Sequence, residues 1–307
     1  MTDIPKRAKI REVGPRDGFQ NEPEVVPTDD KVRIIDALTK TGLSHLEVTS
    51  FVRPDVIPQL ADGAEVLARI ERRPDVKFGV LIPNRRGLEN ALNLRDHFDE
   101  ASFFLSSSET HNMKNVNRTV GQSLAELSGV AEDARAEGLR CVAVISTVFG
   151  CPYEGKIEPT RVFEITEQLV GFGCSEIGFA DTTGMANPLQ VGEFFENAFE
   201  RFPDVELTAH FHNTRGQGLA NVLAALQAGC SSFESSFGEM GGCPFPPGST
   251  GNIATEDVVS MLDEMGVETG IDLPALIECS RTMQESLGRN LTSHVLTAGP
   301  VDWAGQP

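Results

Sequence analysis

ELTAHFHNTRGQGLANVLAALQAG, residues 206–229, contains the unit from which the fold can be read. Its first part alternates, with Leu207, Ala209 and Phe211 set against Thr208, His210 and His212. Read as a strand, this places His210 and His212 on one face. Its second part, GLANVLAALQAG (218–229), is an apolar helical pattern with a glycine at each end. Strand, loop and helix follow within 24 residues.

The same unit recurs along the chain. Strand-like runs, rich in β-branched and aromatic residues, are KIREV (9–13), HLEVTSF (45–51), KFGVLI (77–82), ASFFLSS (101–107), LRCVAVIST (139–147), SEIGFAD (175–181), ELTAHFHN (206–213) and SSFESSFG (231–238). Helix-like segments between them include 30–42, 122–138, 161–173, 187–202 and 218–229. Eight alternating units predict βαβ packing and a parallel sheet, closed as a (β/α)8 TIM barrel. The open doubly wound sheet is the alternative, but no GxGxxG follows the first run. The barrel is expected over residues 1–270. Residues 271–307 are expected to form a C-terminal helical extension and tail packed on it.

The chain has 307 residues, 40% hydrophobic, and a net charge of −19. No basic stripe of the kind a nucleic-acid binder carries is present, and no apolar run approaches the ~20 residues of a membrane span. The start, MTDIPKRAKI, has no apolar core of a signal peptide. The expectation is a cytoplasmic protein with neither nucleic acid nor membrane as partner. The six cysteines are scattered and form no CxxC pair.

In a barrel of this type, reactive groups collect at the C-terminal ends of the strands. Arg16 and Asp17 follow the first run, and Glu47 and Thr49 lie in the second. Ser106, Ser107 and Ser108 end the fourth, Asp181 and Thr182 the sixth, and His210, His212 and Asn213 the seventh. A Gly/Pro-rich stretch, FGEMGGCPFPPGSTGN (237–252), follows the eighth and carries Cys243 and Asn252. Two inward imidazoles near a carboxylate make a metal site, and strands one and seven are near neighbours in a closed barrel. The plainer reading is two satisfied histidines on a half-exposed strand. Mixed carboxylate, imidazole and amide ligands suit Mg²⁺ or Mn²⁺, while imidazole also suits Zn²⁺ and Co²⁺. Arg16 could hold a developing enolate oxygen. Cys243 is either a structural loop thiol or a reactive one brought over the metal.

VGPRDGFQNE (13–22), LEVTSFV (46–52), GCPYEGKI (150–157), AHFHNTRGQGLANVLAALQAG (209–229) and GGCPFPPGSTGNIATEDVV (241–259) resemble the 3-hydroxy-3-methylglutaryl-CoA lyases, of the DRE-TIM metallolyase superfamily. The resemblance runs from about residue 8 to 300, in order. It implies a divalent cation on Asp17, His210, His212 and Asn252, a catalytic thiol at Cys243, and an enolate-stabilising arginine at Arg16. Glu47 and Asp181 match supporting acids, and Lys114, Asn115 and Asn117 match a segment near the CoA end. It further implies an acyl-CoA thioester substrate, a homo-oligomer (dimer or higher), and a setting in leucine degradation. The expected reaction is a retro-aldol cleavage of the C2–C3 bond, giving acetoacetate and acetyl-CoA. His210 or Asp17 is the expected base, and Cys243 the acid toward the enolate.

Two stretches depart from the family pattern. Family members usually read His-x-His-Asp-Thr-Tyr-Gly-Gln where this chain reads HFHNTRGQ, with Asn213 and Arg215. They read Val-Ala-Gly-Leu-Gly-Gly-Cys-Pro-Tyr where this chain reads FGEMGGCPF, with Phe237, Glu239 and Phe245. A lyase for a related 3-hydroxy-3-substituted acyl-CoA, citramalyl-like or longer, therefore stays open. So does a condensing synthase of the same superfamily.

Overall fold

KIRE becomes β1 (Lys9–Glu12), which pairs in parallel with β2 (His45–Ser50) on one side and β8 (Ser232–Ser235) on the other. The second pairing closes the sheet, so the strands run β1 to β8 in chain order around a barrel. The others are β3 (Lys77–Leu81), β4 (Glu100–Ser106), β5 (Arg140–Ser146), β6 (Glu176–Asp181) and β7 (Glu206–Phe211). The structure, a computed structural model, describes residues 4–241 and 251–304. The (β/α)8 architecture expected from the repeat of strand and helix is present.

Helices cover the outside. They are α1 (Thr28–Leu38), α2 (Gly63–Arg69), α3 (Arg85–Leu92), α4 (Glu109–Val116), α5 (Val120–Ala136), α6 (Pro159–Gly171), α7 (Pro188–Arg201), α8 (Gly218–Gln227) and α9 (Thr255–Glu264). After the barrel come α10 (Leu273–Leu287), packed against α1 and α9, and α11 (His294–Ala298). Polar side chains cap many starts. Asn84, Ser108, Thr119, Asn187, Asp272 and Ser293 each accept a backbone N–H of the first turn.

The core lies between helices and strands. Phe194 of α7 packs on Phe179 of β6 at 4.9 Å between ring centres and stacks on Phe163 of α6 at 5.2 Å. Each such buried ring contributes about 2–3 kcal/mol. The barrel's interior differs at its two ends, and that difference positions the site.

The boundaries shift from those expected. β7 stops at Phe211, and His212 continues as a single bridge to Asn252. β8 stops at Ser235 because Gly238 and Glu239 turn the chain with φ of 67° and 61°. The helices α2, α3 and α4 are short, and α3 shows the core only Gly87, Leu88 and Ala91, so their patterns were too brief to name. Cys243 and Phe245 lie outside the described residues.

Candidate active site

The site lies at the C-terminal ends of β1, β2, β6, β7 and β8. The chain leaves β1 through a five-residue π-helical turn, Gly14–Gly18, which carries Arg16 and Asp17. Such turns are rare and recur at functional sites. Gly14 permits it: a Cβ there would meet the Phe237 ring at 2.5 Å. Glu12 holds the turn from below, its Oε1 accepting from the Gly14 N–H at 2.7 Å.

Arg16 is fixed between two acids. Its Nε donates to Glu47 Oε2 at 2.5 Å, and its Nη1 donates to Asp17 Oδ1 at 2.7 Å. Burial opposes the guanidinium charge, but Glu47 and Asp17 outweigh it, and Arg16 stays charged. Burial raises the Asp17 carboxyl, but the Arg16 charge, the two histidines and a bond from Asn252 leave it below the usual carboxylate range. Glu47 is pushed up by burial, with Arg16 partly countering.

Asp17, His210 and His212 come together. Their ligand atoms lie within 4.8 Å of one another. The strand alternation holds through the end of β7, so both imidazoles face the same space, with their Nε2 atoms 3.0 Å apart. Glu234 Oε2 sits 2.8 Å from His210 Nδ1. A carboxylate there requires Nδ1 to carry the proton, which leaves the Nε2 lone pair of a neutral His210 facing inward. Burial disfavours the imidazolium at His210, yet Glu234 and Asp17 raise its pKa. Burial and the neighbouring His210 push His212 down to about 3, so it is neutral.

Asn252 completes the group. Its Nδ2 donates to Asp17 Oδ2 at 2.8 Å and to the Met240 carbonyl at 3.3 Å. Its Oδ1 is buried and has no partner among the described residues. A buried amide oxygen without a donor costs free energy unless something meets it. The donor set therefore fits a divalent cation: one depressed carboxylate, two imidazole nitrogens and one orphaned amide oxygen.

Asp181 ends β6 and is 1% exposed. Its Oδ1 accepts from the Met185 and Ala186 N–H groups at 2.8 and 3.1 Å, while its Oδ2 is buried without a partner among the described residues. Burial lifts its pKa to about 6 against those two bonds. Lys114, Asn115 and Asn117 are exposed at the end of α4, the helix that follows β4. Lys114 Nζ lies 4.9 Å from the centre of the Tyr153 ring, and Asn117 ends the helix at φ 54°. Cys243 lies outside the described residues, but Gly241 and Gly251 on either side of it approach each other closely.

The sequence pointed to the residues that come together here but not to Glu234. The signal was available: β7 and β8 pair His210 with Glu234, and alternation along SFES turns that carboxylate inward. Arg215, one of the departures from the family pattern, donates through Nη1 to the Thr183 and Gly184 carbonyls, both at 2.8 Å.

Comparison with known proteins gives the family and the fold. The HMGL-like family model matches residues 7–283. The chain is 47% identical over 292 residues to a hydroxymethylglutaryl-CoA lyase of Bacillus subtilis, covering 95% of this chain and 97% of that protein. A crystal structure of the Bacillus subtilis HMG-CoA lyase superposes with a TM-score of 0.93 at 46% identity, covering 96% of this chain and 98% of that one. An HMG-CoA lyase from Acinetobacter baumannii, solved with coenzyme A and 3-methylmalate, also gives 0.93, at 42% identity over 100% and 99% of the two chains. The chain belongs to the HMGL-like family of hydroxymethylglutaryl-CoA lyases.

Proposed function

We propose that this protein cleaves 3-hydroxy-3-methylglutaryl-CoA to acetoacetate and acetyl-CoA. The observation that carries the reading is the convergence of Asp17, His210, His212 and Asn252 Oδ1, which has no partner among the described residues, beside a buried, charged Arg16. Those four would hold a divalent cation, which would supply Lewis-acid chemistry at the substrate's oxygens. We assign Mg²⁺ or Mn²⁺, since half of the donor atoms are oxygens.

The residues of the chain account for the remaining steps. The substrate's tertiary hydroxyl must lose its proton before the C2–C3 bond breaks. His210 has Nδ1 engaged by Glu234 and Nε2 turned to the metal position, and the Asp17 oxygens are taken by Arg16 and Asn252. Asp181 Oδ2 has no partner among the described residues, and the Asp181 pKa of about 6 is close to the operating range of a general base. Asp181 thus replaces His210 and Asp17 as the base. The electron pair of the O–H bond becomes the ketone of acetoacetate, and the C2–C3 pair moves into the thioester as an enolate. Arg16 holds the negative charge on the thioester oxygen, and Glu47 aims Arg16. Cys243 returns a proton to C2 and completes acetyl-CoA. Lys114, Asn115 and Asn117 face the CoA end, where the Lys114 charge offsets an acidic protein. The site's location in a cytoplasmic, homo-oligomeric enzyme of leucine degradation belongs to the same reading.

The test is acetyl-CoA release from 3-hydroxy-3-methylglutaryl-CoA by purified protein with Mg²⁺ or Mn²⁺. Release should stop with a chelator and fall at least about a hundredfold in Cys243→Ser. If metal binds but nothing is released, the acyl group is wrong. A panel of larger 3-hydroxyacyl-CoAs then follows. A synthase would join acetyl-CoA to a 2-oxo acid and tolerate the Cys243 change.

A further inference from the structure

The loop after β7 and the turn after β8 are joined by a side-chain bond that the chemistry above does not use. Asn213 Nδ2 donates to Glu239 Oε1 at 2.7 Å. The other end of the amide is also taken, since Asn213 Oδ1 accepts from the Gly218 N–H at the head of α8 at 3.3 Å. That second bond orients the amide: only its oxygen can accept, so its NH₂ must face Glu239. Glu239 is 7% exposed and sits at φ 61°, a conformation that a side chain keeps only when its surroundings hold it.

On one side of this bond the backbone carries a proposed metal ligand, and on the other it braces one. Asn213 follows His212, which bridges Asn252, and the Asn213 N–H donates to the Gly251 carbonyl at 3.2 Å. Glu239 precedes Met240, whose carbonyl accepts from Asn252 Nδ2. The two backbones touch here, for a Cβ on Gly251 would lie 2.4 Å from the Glu239 carbonyl oxygen.

Resting on the metal-lyase reading above, we propose that Asn213 and Glu239 are a positioning pair. Their hydrogen bond holds the segment bearing His212 and Asn252 in register with the turn after β8, and so sets the aim of those two ligand atoms. The two rim residues bond to each other rather than to the acyl group. They therefore add no carboxylate or amide contact to substrate selection.

Three variants test the pair. Asn213→Asp brings two carboxylates together where one amide hydrogen bond stood. Glu239→Gln keeps an acceptor opposite Asn213. The double variant N213D/E239Q reverses the bond, with the glutamine amide donating to one aspartate oxygen while the other still accepts from Gly218. The readouts are kcat and KM for 3-hydroxy-3-methylglutaryl-CoA, and Mn²⁺ affinity by titration of free ion without substrate. N213D should weaken Mn²⁺ binding about tenfold and lower kcat about tenfold or more, with KM within about threefold. E239Q and the reversed pair should stay within about threefold of the parent protein in both. The proposal is overturned if N213D binds Mn²⁺ as the parent does, or if the reversed pair is as impaired as N213D. If N213D does not fold, Glu239→Ala takes its place, with the same tenfold loss of Mn²⁺ affinity expected and unchanged affinity counting against the pair. A parent protein that fails to cleave the substrate overturns the functional reading instead, and the Mn²⁺ series still decides the pair.

Discussion

Both ends of the barrel interior are charged, but they satisfy their charges differently. At the N-terminal end, Arg11 donates to Glu100 at 2.6 Å and Glu176 at 3.2 Å. Arg140 reaches Glu100, Glu176 and Glu206 at 2.6–2.8 Å, Lys9 pairs with Glu176 and Glu206, and Thr208 donates to Glu176 at 2.6 Å. None of these side chains has an unpartnered buried atom. At the C-terminal end, Asn252 Oδ1, His212 Nδ1 and Asp181 Oδ2 are buried without partners among the described residues. A closed network rigidifies, whereas unsatisfied atoms in a buried cluster mark where something else must bind. Glu234 stands between the two ends, 2.8 Å from His210 Nδ1 and 3.9 Å from Arg11 Nε.

The contrast can be broken most severely at its closed end. Arg11→Met removes the cation shared by Glu100 and Glu176 and leaves two buried acids short of a partner. The expected cost is about 3–5 kcal/mol, or roughly 10 °C in thermal midpoint, with Mn²⁺ affinity per folded molecule nearly unchanged. Thermal unfolding by circular dichroism checks it, and an unaltered midpoint would mean the network carries no stability. Glu234→Gln should do the reverse. It leaves the fold intact but no longer requires the proton on His210 Nδ1, so Mn²⁺ affinity falls about 10–100-fold with little change in midpoint. Equal losses of stability and affinity would erase the distinction between the two ends.

The smallest effect concerns Glu12, under the turn that joins the site to the frame. Its carboxyl faces the Gly14 and Phe237 N–H groups and the Thr255 hydroxyl. Burial still raises its pKa from 4.5 to about 8, against those hydrogen bonds. The folded protein thus keeps a proton that the unfolded chain releases. Its contribution is fully present below pH 4.5 and is lost as pH rises toward 8. Once protonated, Glu12 donates to Thr255 Oγ1, and a glutamine amide can take that place. Glu12→Gln should therefore flatten the fall in thermal midpoint between pH 5 and pH 8. An unchanged slope would show that Glu12 stays ionised in the fold.

Much of the site was legible because it rests on short-range rules. Alternation along LTAHFHN put His210 and His212 on one face without any tertiary information, and the 3.0 Å approach of their Nε2 atoms follows from it. Placement after strand ends picked out Arg16, Asp17 and Asp181. Glu234 was missed because its meaning depends on register: it matters only once β8 sets it beside His210. The base we propose, Asp181, was passed over for a similar reason, since the bonds that occupy His210 and Asp17 come from Glu234, Arg16 and Asn252, far apart in the chain.

The sequence alone determined the order of the eight strands and the longer helices, the barrel they close into, and the chemical kinds gathered at its mouth. Those follow from hydrophobic period and residue type, which act locally. Only the tertiary structure decided which atoms are spent and which stay free. Asn213 and Glu239 read as substrate-facing departures in the chain, yet folding turns them toward each other at 2.7 Å. Arg215, another such departure, is held by two carbonyls of the loop after β6. Hydrogen-bond satisfaction is a property of three-dimensional neighbours, and no pattern along one strand can express it.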